Sequence, residues 1–117
     1  MAITVTNLTP ETFGFCANGF SADVSATEEF VAAPGSGKYH FLRHVTISSG
    51  GAITITLGAG ETAGAVTTAI LGPVSFAANQ TIQWDFNPAI KLPVNESITV
   101  DSSGAGNVLV FVQGHTS

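Results

Sequence analysis

The sequence predicts an all-β fold, an antiparallel β-sandwich or jelly roll of about eight strands with an extended N-terminal arm. Three observations carry this. Short runs alternate apolar and polar residues with period 2, as in Ile53, Ile55 and Leu57 set against Thr54 and Thr56. Gly, Pro, Asn and Ser punctuate the runs. No stretch of useful length carries the i, i+3, i+4, i+7 apolar stripe of an amphipathic helix.

Residues 1–27 are irregular. Ile3 and Val5 alternate with Thr4 and Thr6 as a short strand, after which Phe13, Phe15 and Phe20 stand among Gly, Asn and Pro. Phenylalanines in a segment of weak periodicity must be buried somewhere, against the domain or against a neighbouring subunit. We therefore read 1–27 as an arm and 28–117 as the jelly-roll domain. Glu29 to Ala33 is a strand and Pro34-Gly35-Ser36-Gly37 a turn. The long strand from Lys38 to Ile47 follows, spanning roughly 30 Å at about 3.3 Å per residue. Its alternation places Tyr39, Phe41, Val45 and Ile47 on a core face interrupted by Arg43, a cation that would need a partner there. His40, Leu42, His44 and Thr46 form a second face that is neither clean core nor clean solvent, which points to a partner.

Gly58 to Gly64 reads as a small-residue loop. A strand over 66–71 and 74–77 is interrupted at Gly72-Pro73, where proline implies an edge or a bulge. Ile82, Trp84 and Phe86 face inward from the next strand, Asn87-Pro88 breaks it, and 90–92 is a short strand. Ile98 and Val100 belong to the core. The run Val108 to Gln113 is apolar on both faces and so is a central strand, or one pressed against another subunit.

Charge is the informative part of the composition. Three Lys and Arg residues against eight Asp and Glu give a net charge of −5, and ionic residues make only 9% of the chain, against about 25% in ordinary soluble domains. Monomer scaling gives roughly 5,900 Å² of folded surface, or about one ionic side chain per 500 Å². A surface so sparsely charged favours burial in an assembly. Only Lys38, Arg43 and Lys91 are basic, so there is no cationic stripe for nucleic acid and no polybasic patch for a membrane. No apolar run reaches the ~18 residues of a bilayer span, and Met1-Ala2-Ile3-Thr4 lacks the regions of a signal peptide. The lone Cys16 excludes an intramolecular disulfide, and the Asn-x-Ser/Thr triplets at Asn7, Asn79 and Asn95 read as turn residues.

The motifs of catalysis and cofactor binding are incomplete. Gly35-Ser36-Gly37-Lys38 lacks the first glycine and the Ser/Thr of a phosphate loop and precedes a strand, so it is a turn. His40 and His44 would lie about 13 Å apart on a strand, too far for one zinc ion. The histidines have no orienting acid nearby in sequence, and there is no Gly-x-Ser-x-Gly elbow. Trp84 and Tyr39 would suit a sugar platform, but their phase with Ile82, Phe86 and Phe41 assigns them to the core. We expect no enzyme activity, no cofactor and no metal.

The residues expected at a subunit or capsid interface are Ile3, Val5, Phe13, Phe15 and Phe20 from the arm, with His40, Leu42, Arg43 and His44 from the long strand.

From about Phe30 to Gly114 the chain resembles the small jelly-roll decoration, or cement, proteins of tailed bacteriophage heads. The features are Val31-Ala32-Ala33-Pro34-Gly35-Ser36-Gly37-Lys38 before the long strand, Ile47-Ser48-Ser49-Gly50 after it, and Leu71-Gly72-Pro73-Val74 with Ala77-Ala78-Asn79. Leu92-Pro93-Val94-Asn95-Glu96-Ser97-Ile98-Thr99-Val100 and the run Val108 to Gly114 complete the pattern. The resemblance implies a virion protein made in the host cytoplasm, a homotrimer standing on the outer capsid surface in contact with the major capsid protein. The alternative is a module that binds carbohydrate on a host surface, a use to which jelly rolls are often put.

Overall fold

The computed structural model describes residues 3–7 and 14–117. Among them are nine strands and no helix: β1 (Thr4–Asn7), β2 (Gly14–Ser21), β3 (Glu28–Val31), β4 (His40–Ser49), β5 (Thr54–Thr62), β6 (Ala65–Ser75), β7 (Gln80–Lys91), β8 (Ile98–Ser102) and β9 (Val108–Thr116). They form two antiparallel sheets, ordered β1-β2-β9-β4-β7 and β3-β8-β5-β6. From β2 onward the chain changes sheet at every connection except the β5–β6 hairpin. The result is a jelly roll of eight strands, to which β1 adds one at an edge.

Sheet faces that shed water together make the core. Val45 and Ile47 of β4 with Val108, Val110 and Val112 of β9 meet Ile55 and Leu57 of β5 and Ile98 and Val100 of β8, each at most 1% exposed. Each such side chain contributes about 1.5–3 kcal/mol of transfer free energy. The run 108–113 is thus a central strand, between β2 and β4. Ile82, Trp84 and Phe86 pack against this core from β7, as their phase predicts.

The structure corrects four expectations. Of the arm, residues 14–27 are woven into the sandwich: β2 pairs with β9 over its whole length, and Val24 is fully buried and accepts a hydrogen bond from the Ser102 amide. The domain therefore does not begin at residue 28. The second correction is the loop at 58–64, where β5 continues to Thr62 and Thr62 pairs with Ala65. A tight turn of Ala63 and Gly64, with φ of 52° and 79°, joins them, the doubly left-handed conformation that matches strand twist.

Third, β6 and β7 run through their prolines. Pro73 and Pro88 sit on the two edge strands β6 and β7, where a missing N–H leaves no ladder partner waiting.

Fourth, the alternation of β4 breaks at Arg43. Against β9, Leu42 pairs with Gly114 and His44 with Gln113, so Arg43 is the extra residue of a β-bulge. The bulge exchanges faces. His40 and Leu42 point inward before it and Val45, Ile47 and Ser49 after it, while Phe41 turns outward and stacks on His115, with centroids 4.6 Å apart. Arg43 is exposed and needs no buried counter-ion.

Candidate interface on the five-stranded sheet

The bulge and the β2 pairing decide which expected contact residues can reach a partner. Ile3, just before the edge strand β1, and Val5 within it pack against the core. Phe15 also packs against the core and meets the His40 ring edge-on at 4.9 Å. A Cβ at Gly114 would strike the Phe41 carbonyl and the Phe15 ring, so glycine is what lets that ring lie there. Leu42 is fully buried.

His40 is 5% exposed and has both ring nitrogens engaged. Nε2–H donates to the Ala32 carbonyl at 2.8 Å, which leaves Nδ1 to accept from the Thr116 hydroxyl at 2.9 Å. Burial lowers its pKa, against a smaller opposite effect of the Ala32 hydrogen bond, and favours the neutral ring. Leu42 and His40 are thus buried inside the subunit, and Ile3, Val5 and Phe15 are half-buried against its core. Phe13 lies outside the described residues. Phe20, Arg43 and His44 remain, all on the outer side of the five-stranded sheet.

That outer face is ordered in rows by the register. Thr4, Phe20, Leu109, Ser48 and Thr81 lie side by side across all five strands, and Thr6, Asn18, Phe111, Thr46 and Gln83 form the next row. Phe20 is 44% and Leu109 36% exposed, a directly paired apolar couple at the rim of a shallow depression with Asn79 and Asn107. Neither row contains a charge. Beyond them the character changes.

His44 lies opposite Asp85, with Nδ1–H donating to Oδ1 at 2.6 Å, and its Nε2 accepts from the Thr46 hydroxyl at 2.7 Å. The last row holds His115, Phe41 and Lys91, whose ammonium sits 4.0 Å above the Tyr39 ring. Lys38 and His115 line an open depression with Gly14, Thr116 and Ser117.

Hydroxyl, imidazole and carboxylate follow one another at Thr46, His44 and Asp85 in the order used by nucleophilic hydrolases. The setting is different. The Asp85 side chain is 82% exposed, and the three stand on the outer face of a sheet. What the arrangement does is fix the tautomer and orientation of His44. The bulge sends His40 and His44 to opposite faces, so one ion cannot take both. Among the described residues no three His, Cys, Asp or Glu side chains converge. Nor do Trp84 and Tyr39 share a surface, since Trp84 packs against the core and Tyr39 lies under Lys91.

No protein-family model matches the chain, and no curated protein matches it in sequence. Among solved structures, the cupin domain of Schizosaccharomyces pombe Cnp3 is similar over 98% of this chain and 61% of its own, at 10% identity and a TM-score of 0.43. The chain thus spans less than two thirds of that domain's length. A candidate mannose-6-phosphate isomerase from Ralstonia eutropha is similar over 97% of this chain and 83% of its own, at 7% identity and a TM-score of 0.38. A conserved Streptococcus pyogenes protein of unknown function follows at 94% and 72%, with 9% identity and a TM-score of 0.35.

Proposed function

We propose that the protein is a structural component of a bacteriophage virion, a decoration protein that binds the outer surface of the assembled head as a homotrimer and stabilises it through the major capsid protein. The observation that carries this reading is the pair of uncharged rows on the outer face of the five-stranded sheet, with Phe20 and Leu109 partly exposed side by side in one of them. Apolar side chains exposed in charge-free rows favour contact with another protein surface over water. The resemblance of residues 30–114 to head decoration proteins supplies the kind of surface.

The function is mechanical rather than catalytic. A protein that binds only the assembled lattice stabilises it by RT ln(1 + [L]/Kd), and several feet per oligomer raise the effective affinity without strong individual contacts. Light scattering on the purified protein, then co-sedimentation with empty heads, tests this. An oligomer that pellets with heads and raises their disruption temperature is the expected result, and a monodisperse monomer that stays in the supernatant overturns it.

A further inference from the structure

The charges borne by the strands are sorted by sheet, while Asp23 and Glu96 lie on connections. The strands of the five-stranded sheet carry Arg43, Lys91 and all three histidines, with Asp85 as their only acid, and Lys38 lies two residues before β4. Strands β3, β5, β6 and β8 carry Glu28, Glu29, Glu61 and Asp101 and no Lys, Arg or His. Glu29 and Glu61 are the exposed acids among them, since Glu28 accepts from the Ile3 amide and one oxygen each of Glu28 and Asp101 is buried. The cations are also gathered at one end of their sheet. Lys91 is paired with Phe41, His115 with Phe41, and Arg43 bulges out two residues further along.

Resting on the reading of this protein as a self-associating subunit, we propose that the copies join head to tail, the cationic end of the five-stranded sheet of one docking on the acid-bearing four-stranded sheet of the next. Lys38, Arg43 and Lys91 are all exposed, as are Glu29 and Glu61. A symmetric contact that set the cationic end against itself would bring like charges together, whereas the offset contact pairs them with opposites. Such a contact uses two different patches on each copy, and it yields a closed ring when the rotation between copies closes. The body measures 36 × 28 × 23 Å, and its broad faces match the scale of about 800 Å² per partner that a stable interface buries. The partner is a second copy because the complementary surface is present on the same chain, at a net charge of −5 that opposes indiscriminate clustering.

Three charge-reversed proteins test the contact by light scattering, with circular dichroism and thermal melts as the check on folding. The first carries Lys38→Glu, Arg43→Glu and Lys91→Glu, the second Glu29→Lys and Glu61→Lys, and the third carries all five. Each of the first two is expected to raise the concentration needed for association at least about 10-fold, the effect of roughly 1.4 kcal/mol, and the third to regain most of it. The second protein is decisive against a general net-charge effect, because it moves the −5 of the chain towards zero and would then associate more readily. Wild-type association should also weaken as salt passes about 0.1 M, where the screening length is about 10 Å. A first protein that keeps its oligomeric mass, a fivefold variant that stays dissociated, or a wild type that is monomeric overturns the proposal. A wild-type monomer that still pellets with heads refutes the head-to-tail contact alone, and a charge-dependent oligomer that ignores heads refutes the decoration role alone.

Discussion

The imidazole of His40 donates from Nε2 to the carbonyl of Ala32 at 2.8 Å, tying the exit of β3 to the start of β4 inside the sandwich. Because burial holds the folded pKa of His40 below its ordinary value of 6.5, folding favours the neutral ring. The unfolded chain then binds more protons than the native one between the lowered pKa and about 6.5, and stability rises with pH across that window. Stability from this group is complete above about 6.5 and falls on acidification until the lowered value is reached. Urea titrations from neutral to mildly acidic pH should show the midpoint declining in the wild type, with a smaller slope in His40→Gln. Equal slopes would mean that His40 is already solvated in the native state.

Leu42 and Arg43 are neighbours with opposite fates, and the bulge is the reason. Leu42→Ala removes a fully buried side chain and should destabilise by about 2–5 kcal/mol, whereas Arg43→Ala should stay within about 0.5 kcal/mol. Denaturant unfolding of the two variants distinguishes this from strict alternation, in which Arg43 would sit on the core face with Val45 and a large effect would move to it.

Much of the sandwich is legible because its inward residues are large and regularly spaced: Ile55 and Leu57, Ile98 and Val100, Ile82, Trp84 and Phe86 all face where period 2 puts them. Strand β2 escapes that test because Phe15 is its one large inward residue and the others, Ala17, Gly19 and Ser21, are small. The space above Gly19 is filled instead by Ile3, 2.9 Å from where a Cβ would stand, and by Phe30 at 3.5 Å. A strand whose volume is supplied by its neighbours shows no hydrophobic alternation of its own. The bulge is hidden for a related reason, since one inserted residue exchanges faces without altering composition. The His44–Asp85 pair depends on a register between strands 41 residues apart in sequence. An acid facing outward between Trp84 and Phe86 was its only trace.

Ala63 occupies the first position of the β5–β6 turn at φ 52°, a conformation that costs an alanine roughly 1–2 kcal/mol and an asparagine less. Ala63→Asn creates Asn-Gly, the pair most suited to this turn, and should raise the thermal midpoint by a few degrees, on the order of 0.5–1 kcal/mol. Gly64→Val, placed at φ 79°, should lower it by more. If neither variant moves the midpoint, the hairpin end is not ordered as described.

Phe20 and Leu109 are 44% and 36% exposed in an isolated subunit, so each gives the fold part of its burial energy and leaves apolar surface for a contact outside it. The double variant Phe20→Ser, Leu109→Ser should lower stability by about 1–3 kcal/mol, the partial burial of two large side chains, while weakening co-sedimentation with heads, or self-association, by at least about 10-fold. The two readouts separate the roles of this pair. Loss of binding by a variant that stays folded under the binding conditions identifies the uncharged rows as contact surface. A loss of stability well beyond that range would place both side chains in the subunit's own core, and unchanged binding would remove the outer face of this sheet from the proposed interface.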